Sequence, residues 1–183
     1  IMIPILYKSN ETNFRTQGIG SLNDAISCYV DEKRNGKYEL EMEYPISGIH
    51  YEDLKVLNII GAVPAEDTEV QLFRIYQISK PINGKITVNA EHISYQLSYI
   101  PVKPFNATGA YSALNGLKNN SMCENPFEVW TDVDNAESNY KQTEPSSFRS
   151  RLGGVEGSIL DCFGGEYEFD NYTVKLHSKR GVD

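Results

Sequence analysis

Arg151-Leu-Gly-Gly-Val-Glu-Gly-Ser-Ile-Leu-Asp-Cys-Phe-Gly-Gly-Glu-Tyr-Glu-Phe-Asp-Asn-Tyr-Thr-Val-Lys-Leu-His177 changes its apolar period halfway along, and that change decides how the chain is read. Val155, Ile159 and Phe163 recur every four residues, so they share one face of a helix. Gly164 stands where a helix C-terminus favours a left-handed residue. From Glu166 onward the period falls to two. Tyr167 and Phe169 point one way, and Glu166, Glu168 and Asp170 the other. Beyond Asp170-Asn171, Tyr172, Val174 and Leu176 alternate with Thr173, Lys175 and His177. With Asp170-Asn171 as a two-residue loop, Phe169 faces Tyr172, Tyr167 faces Val174 and Glu166 faces Lys175. Apolar pairs then share one face and a charge pair the other. The stretch reads as a half-buried hairpin with a helix beside it.

Upstream, the first half of the chain reads as strands. Ile26, Cys28 and Val30 form one apolar row, and Tyr38, Leu40, Met42 and Tyr44 another, with Glu39, Glu41 and Glu43 facing water. A two-residue Asn35-Gly36 loop would set opposite faces against each other. A three-residue loop, Arg34-Asn35-Gly36 with Gly36 left-handed, instead pairs Val30 with Leu40, Cys28 with Met42 and Ile26 with Tyr44. In the same way Ile82-Asn83-Gly84 as a loop pairs Ile78 with Val88 and Tyr76 with Ala90. Phe73 and Ile75 then lie on the face opposite Tyr76 and Ile78. Either that strand is covered on both sides, as in a sandwich or barrel, or a β-bulge falls between Ile75 and Tyr76.

The character changes around Pro101 and Pro104, which with Val102 and Phe105 mark a linker. Thr108 is placed to cap a helix running to about Asn119, with Ala110, Ala113, Leu114 and Leu117 as its buried stripe. Gly116 weakens that helix by about 1 kcal/mol relative to Ala. Phe127-Glu128-Val129-Trp130 reads as a strand, and Asp132 to Thr143 as a polar loop. Pro145 suits the first turn of a second helix, with Phe148 and Leu152 on one face and Gly153-Gly154 ending it. The fold expected is α+β and β-rich. A small antiparallel β-barrel or sandwich over residues 1–100 precedes a smaller α+β subdomain over 101–183.

Composition narrows the function classes. Seventeen basic against 25 acidic side chains leave a net charge of −8, which argues against specific nucleic-acid binding, since that needs clustered Lys and Arg. The longest basic cluster, Lys179-Arg180, is too small to change this. No apolar run approaches the roughly 20 residues of a membrane span, and no secretory signal opens the chain. Membrane insertion is not expected. Cys28, Cys123 and Cys162 are too far apart for a disulfide framework or a zinc site, and Cys28 reads as a buried thiol.

The candidates for chemistry are few. His50 and Asp53 lie three apart, within reach on one helical turn, but two groups make neither a metal site nor a triad. His92 reads as a hydrogen-bonded core or hinge residue, and His177 as an exposed one beside Lys175. A Cys-His pair drawn from the three cysteines is conceivable. Cys162, however, sits near a helix C-terminus, the wrong end for a thiolate. Gly153-Gly154-Val155-Glu156-Gly157 lacks the Lys-Ser/Thr of a phosphate loop. Glu166 and Glu168 fit a solvated strand face better than a glycosidase dyad. The expectation is therefore no catalytic, cofactor-binding or metal-ligating residues and no cofactor.

Several segments, in order, resemble one family. They are Ile3-Pro4-Ile5-Leu6-Tyr7, Asp24-Ala25-Ile26-Ser27-Cys28 running to Asn35-Gly36-Lys37-Tyr38-Glu39-Leu40, Gln71-Leu72-Phe73-Arg74-Ile75-Tyr76, Ala90-Glu91-His92-Ile93-Ser94-Tyr95, and the stretch from Arg151 to His177. The chain resembles the N-terminal structural region of phage and prophage tail-associated lysins, also called prophage endopeptidase tail proteins, the siphophage baseplate hub. The resemblance implies a virion structural protein at the tail tip that is assembled in the host cytoplasm. It also implies a homotrimeric ring in contact with the distal tail, tail tube and tape-measure proteins. The family continues well past the position of Asp183, and Ile1 precedes a natural Met start, so an excised piece is expected. A cell-wall peptidase is the alternative, its catalytic part expected outside these residues. A carbohydrate-binding module, suggested by 12 Tyr and Trp130, ranks third because Tyr38, Tyr44 and Tyr167 read as core-face residues.

Overall fold

A computed structural model of the chain describes residues 3–33, 36–134 and 136–178. It divides into two compact units, Ile1–Ile93 and Ser94–Asp183. In the first, the strands are β1 (Ile5–Tyr7), β2 (Gly20–Ser21), β3 (Ser27–Glu32), β4 (Tyr38–Pro45), β5 (Ile59–Ala62), β6 (Gln71–Ile78) and β7 (Lys85–His92). They form one antiparallel sheet in the order β2-β1-β5-β6-β7-β4-β3. The sheet curls into a half-barrel, and β2 and β3 are its two ends.

Strict alternation organises β4. Tyr38, Leu40, Met42 and Tyr44 are buried, and Glu39, Glu41 and Glu43 point outward. Val30 lies opposite Leu40 and Cys28 opposite Met42, the register a three-residue connection requires. Lys33 N–H donates to the Lys37 carbonyl at 2.7 Å to close that turn, and Gly36 has φ 100°. Arg34 and Asn35 of the same turn lie outside the described residues, as do Lys179 and Arg180. The expected Ile26–Tyr44 pair does not form. The ladder starts at Ser27, Ile26 N–H bonds the Glu43 carbonyl at 2.8 Å, and the Ile26 side chain is exposed.

In the β6–β7 hairpin, Ile78 is opposite Val88 as expected, but Ala90 faces Ile75 instead of Tyr76. The register shifts between Ile75 and Gln77, so the bulge explains the apolar residues on both faces and turns Tyr76 out to solvent. The loop itself is tighter than three residues. Ile82 bridges Lys85 around Asn83 (φ 54°) and Gly84 (φ 74°), the left-handed pair of a two-residue hairpin turn.

The second unit contains β8 (Pro101–Val102), β9 (Phe105–Thr108), α1 (Ala110–Asn119), β10 (Glu128–Thr131), β11 (Asn139–Gln142), β12 (Ser146–Ser147), α2 (Phe148–Leu152), α3 (Ile159–Phe163), β13 (Glu166–Asp170) and β14 (Thr173–His177). β14 lies between a parallel β10 and an antiparallel β13, while β9 pairs with β11 and β8 with β12. The four expected stripe residues of α1 are all buried, in one cluster with Phe127, Tyr140, Phe148, Leu152, Ile159, Val174 and Leu176. Burying one of these Leu, Ile, Val or Phe side chains contributes roughly 1.5–3 kcal/mol.

Several local expectations are corrected. Gly109, not Thr108, is the N-cap of α1, and Thr108 Oγ1 donates to Asn139 Oδ1 at 2.8 Å instead. The polar stretch from Asp132 contains β11, which buries Tyr140 and Gln142 because their polar atoms find partners. Tyr140 Oη donates to Gln142 Oε1 at 3.0 Å, and Gln142 Nε2 donates to the Val102 carbonyl at 3.0 Å. Pro145 precedes β12 and is not in α2, whose N-cap is Ser147 with Oγ accepting from Ser150 N–H.

α3 is shorter than the four-residue period suggests. Ser158 caps it, and Val155 lies ahead of it, exposed. Ile159 and Phe163 are buried, and Gly164 ends the helix at φ 70° with its N–H on the Leu160 carbonyl. The final hairpin turns at Asn171-Tyr172, two positions further along in register than expected. Phe169 is opposite Val174, and Tyr167 opposite Leu176. A shift of two preserves the faces, so the apolar side is unchanged. The polar pairs become the Lys175–Asp170 ion pair at 2.9 Å and the His177–Glu168 hydrogen bond at 2.7 Å.

Gly116 turns out to be a packing requirement. A Cβ there would come within 2.1 Å of Phe105 Cε2. Gly116→Ala should therefore destabilise by about 1–3 kcal/mol through overpacking, outweighing the roughly 1 kcal/mol helix preference for Ala. Urea unfolding followed by circular dichroism measures the difference, and a stabilised variant would contradict the packing assignment.

Candidate functional site

The outward row of β4 collects acidic neighbours from both adjacent strands. Glu39 lies between Asp31 on β3 and Glu91 on β7, Glu41 between Tyr29 and Asn89, and Glu43 between Ser27 and Thr87. The charge is partly compensated at the rim. Lys37 Nζ stands 3.3 Å from Asp31, Lys33 Nζ 3.8 Å from the same carboxylate, and Lys85 Nζ 3.1 Å from Glu43. Hydroxyls serve the middle: Tyr76 Oη donates to Glu39 Oε1 at 2.6 Å, and Tyr29 Oη donates to Glu41. Arg74 on β6 is in register with Glu91. Partial burial, with the nearby Glu39 charge, holds the Glu91 carboxyl above its usual value. The bond to Glu41 raises the Tyr29 phenol. Such a face repels phosphates and attracts cationic groups.

The histidines and cysteines read from the sequence are scattered among different local settings. His50, left-handed at φ 69°, precedes a single 3-10 turn, Tyr51–Asp53, and its Nδ1 is 3.9 Å from Asp53 Oδ2. The two border a hollow of about 270 Å³ with Ile46, Gly48, Tyr51 and Glu52. The His50 ring also occupies the space beside Gly20, where a Cβ would come within 2.2 Å of Nε2. His92 is fully buried, stacked on Tyr38 at 4.2 Å, edge-on to Phe73, and bonded through Nε2 to Gln71 Oε1 at 2.8 Å. It is a core residue at the end of β7.

His177 departs from its expected exposure. Its side chain is only 17 % accessible, hydrogen-bonded through Nε2 to Glu168 Oε1 and 5.0 Å from the Trp130 ring. Glu168 is thereby engaged with His177, and Glu166 lies opposite it across the ladder. Burial pushes the Cys28 thiol up to about 11. Burial and Asp161 raise Cys162, against the pull of Arg151, and its Sγ donates to the Gly157 carbonyl at 3.6 Å. Cys123 is exposed beside a wide surface hollow with Lys118, Met122 and Glu124. Among the described residues, no three His, Cys, Asp or Glu side chains gather to hold a metal, and no helix is long and apolar enough to cross a membrane.

Glu39, Glu41 and Glu43 were legible from alternation alone. Asp31 follows from the β3–β4 turn register, whereas Glu91 joins them only through pairing with Glu39, some fifty residues away, which no local pattern bridges.

No family model matches the sequence, and no curated protein matches it. The fold is similar to the crystal structure of prophage tail protein gp18 from Listeria monocytogenes EGD-e, with a TM-score of 0.70 at 14 % identity over 97 % of this chain. The chain spans about half, 51 %, of that protein.

The raised Glu91 carboxyl has a defined sign. Its ionised form is disfavoured in the folded state, so it costs stability above its ordinary value of 4.5 and nothing well below it. Glu91→Gln should raise the thermal midpoint at pH 7, and the gain should vanish as the pH falls below about 4. Melting curves across pH test this, and a gain that grew in acid would contradict it. His92→Phe keeps the ring stack but removes the donor to Gln71. It should cost about 1–3 kcal/mol in urea unfolding, and an unchanged midpoint would contradict the buried bond.

Proposed function

We propose that this chain is a structural component of a phage or prophage tail. More specifically, it belongs to the tail-tip hub, as one subunit of a homotrimeric ring between the tail tube and distal tail protein and the host-contacting parts. The observation that carries the reading is the likeness in fold to a prophage tail protein over nearly the whole chain. The ordered sequence segments that resemble tail-associated lysins support it independently. The acidic row of Glu39, Glu41, Glu43 and Glu91 suits a channel wall along which DNA slides without adhering. A ring closes heterologously, so each subunit presents two different patches to its neighbours.

Immunogold electron microscopy of purified particles, with antibody raised against this chain, tests the placement. Gold at the distal end of the tail is expected, and gold on the capsid, or absence of the chain from particles by mass spectrometry, would overturn the reading. Light scattering coupled to size exclusion should report a trimer mass for the protein as it occurs in the tail. A monomer at every concentration would contradict the ring.

A further inference from the structure

β3 is the longer of the two sheet ends, and the charges within it, Asp31 and Glu32, are both acidic. Natural edge strands are kept short, bulged, charged, or interrupted by Pro. β2, at the opposite end, has two residues, whereas β3 runs for six, Ser27-Cys-Tyr-Val-Asp-Glu32, in an unbroken register with β4 and without Pro, Gly or Lys. Tyr29 stands 56 % exposed in its middle.

Two hydrogen bonds fix which backbone groups face outward. Lys33 N–H donates to the Lys37 carbonyl, so the bonded pairs of the β3–β4 ladder are Asp31–Glu39, Tyr29–Glu41 and Ser27–Glu43. Ile46 N–H donates to the Gly84 carbonyl, which directs Leu40, Met42 and Tyr44 toward β7 and leaves the odd-numbered residues of β4 for β3. Both place the N–H and C=O of Cys28 and Val30 on the side away from β4. Among the described residues, neither makes a backbone bond beyond the strand ladders.

A strand laid there alternates its side chains between two unlike faces. One continues the side of Cys28 and Val30, which pack toward Met42 and Leu40. The other continues the carboxylate row of Asp31, Glu41 and Glu39. In that row Lys33 and Lys37 already stand beside Asp31, while Glu41 and Glu39 accept from the neutral hydroxyls of Tyr29 and Tyr76. We infer that the edge of β3 takes up an extended segment of a partner protein that alternates apolar with basic residues, added as a further strand of the half-barrel. The charge of the row selects Lys or Arg on the outward positions, and the ladder supplies the backbone pairing. The inference is independent of the tail reading.

A labelled synthetic peptide of about eight residues alternating valine and lysine, a usual strand length, tests it by fluorescence anisotropy. The full chain should bind this peptide and bind a control of equal composition, with its lysines in one block, at least about tenfold more weakly. Val30→Pro removes an outward donor that the β3–β4 ladder does not use, so it should keep the far-ultraviolet circular dichroism and lose at least about tenfold in affinity. Tyr29→Lys, which leaves the backbone intact, should weaken the alternating peptide similarly and covers the case in which the proline variant fails to fold. Equal binding of the two peptides, or unchanged binding by a folded Val30→Pro, overturns the proposal. So does a wild-type dimer in sedimentation that Val30→Pro dissociates, which would assign the edge to a second copy of the chain.

Discussion

The alternation along β4 is the constraint from which the first unit follows. Its even-numbered side chains enter the core while their backbone groups bond β7; its odd-numbered side chains face out while their backbone groups bond β3. A slip of one residue would carry Glu39, Glu41 and Glu43 inward together and expel Leu40, Met42 and Tyr44. Burying even one unpaired carboxylate costs several kcal/mol, so the register has no nearby competitor. The acidic face and the open end of the sheet are both consequences of that single sorting.

How much of this was legible depended on the range of the interaction. The β3–β4 register could be read because the apolar rows and the Gly36 turn agree locally, and the α1 stripe because four small and branched apolar residues keep a helical period. The Tyr76 bulge was one of two readings that alternation left open, since an inserted residue and a doubly covered strand give the same pattern. The final hairpin kept its faces but slipped by two, because loops at Asp170-Asn171 and at Asn171-Tyr172 satisfy the same alternation and Asn171 tolerates φ 51°. β11 was missed because Tyr140 and Gln142 are buried as members of a polar network with Arg151 and Val102, which no apolar period announces.

The second unit is built differently. Its core draws on helices and short strands that are each too small to be stable alone. Capping serines hold the two shortest helices in place: Ser147 for α2 and Ser158 for α3. Arg151 ties these pieces together, donating to Tyr140 Oη at 2.6 Å and to the Gly157 carbonyl at 2.8 Å. Its guanidinium also lies 5.1 Å over the Tyr140 ring. Such a junction locks α2, the approach to α3 and β11 to one another.

Amide hydrogen exchange along β3 reaches the central constraint most directly. The pairing of β4 protects the amides of Tyr29 and Asp31 and leaves those of Cys28 and Val30 exchanging at close to the unstructured rate. Slow exchange at Cys28 and Val30 with fast exchange at Tyr29 and Asp31 would mean that the ladder is bonded in the opposite phase. The sorting of side chains and the open edge would then both be wrong.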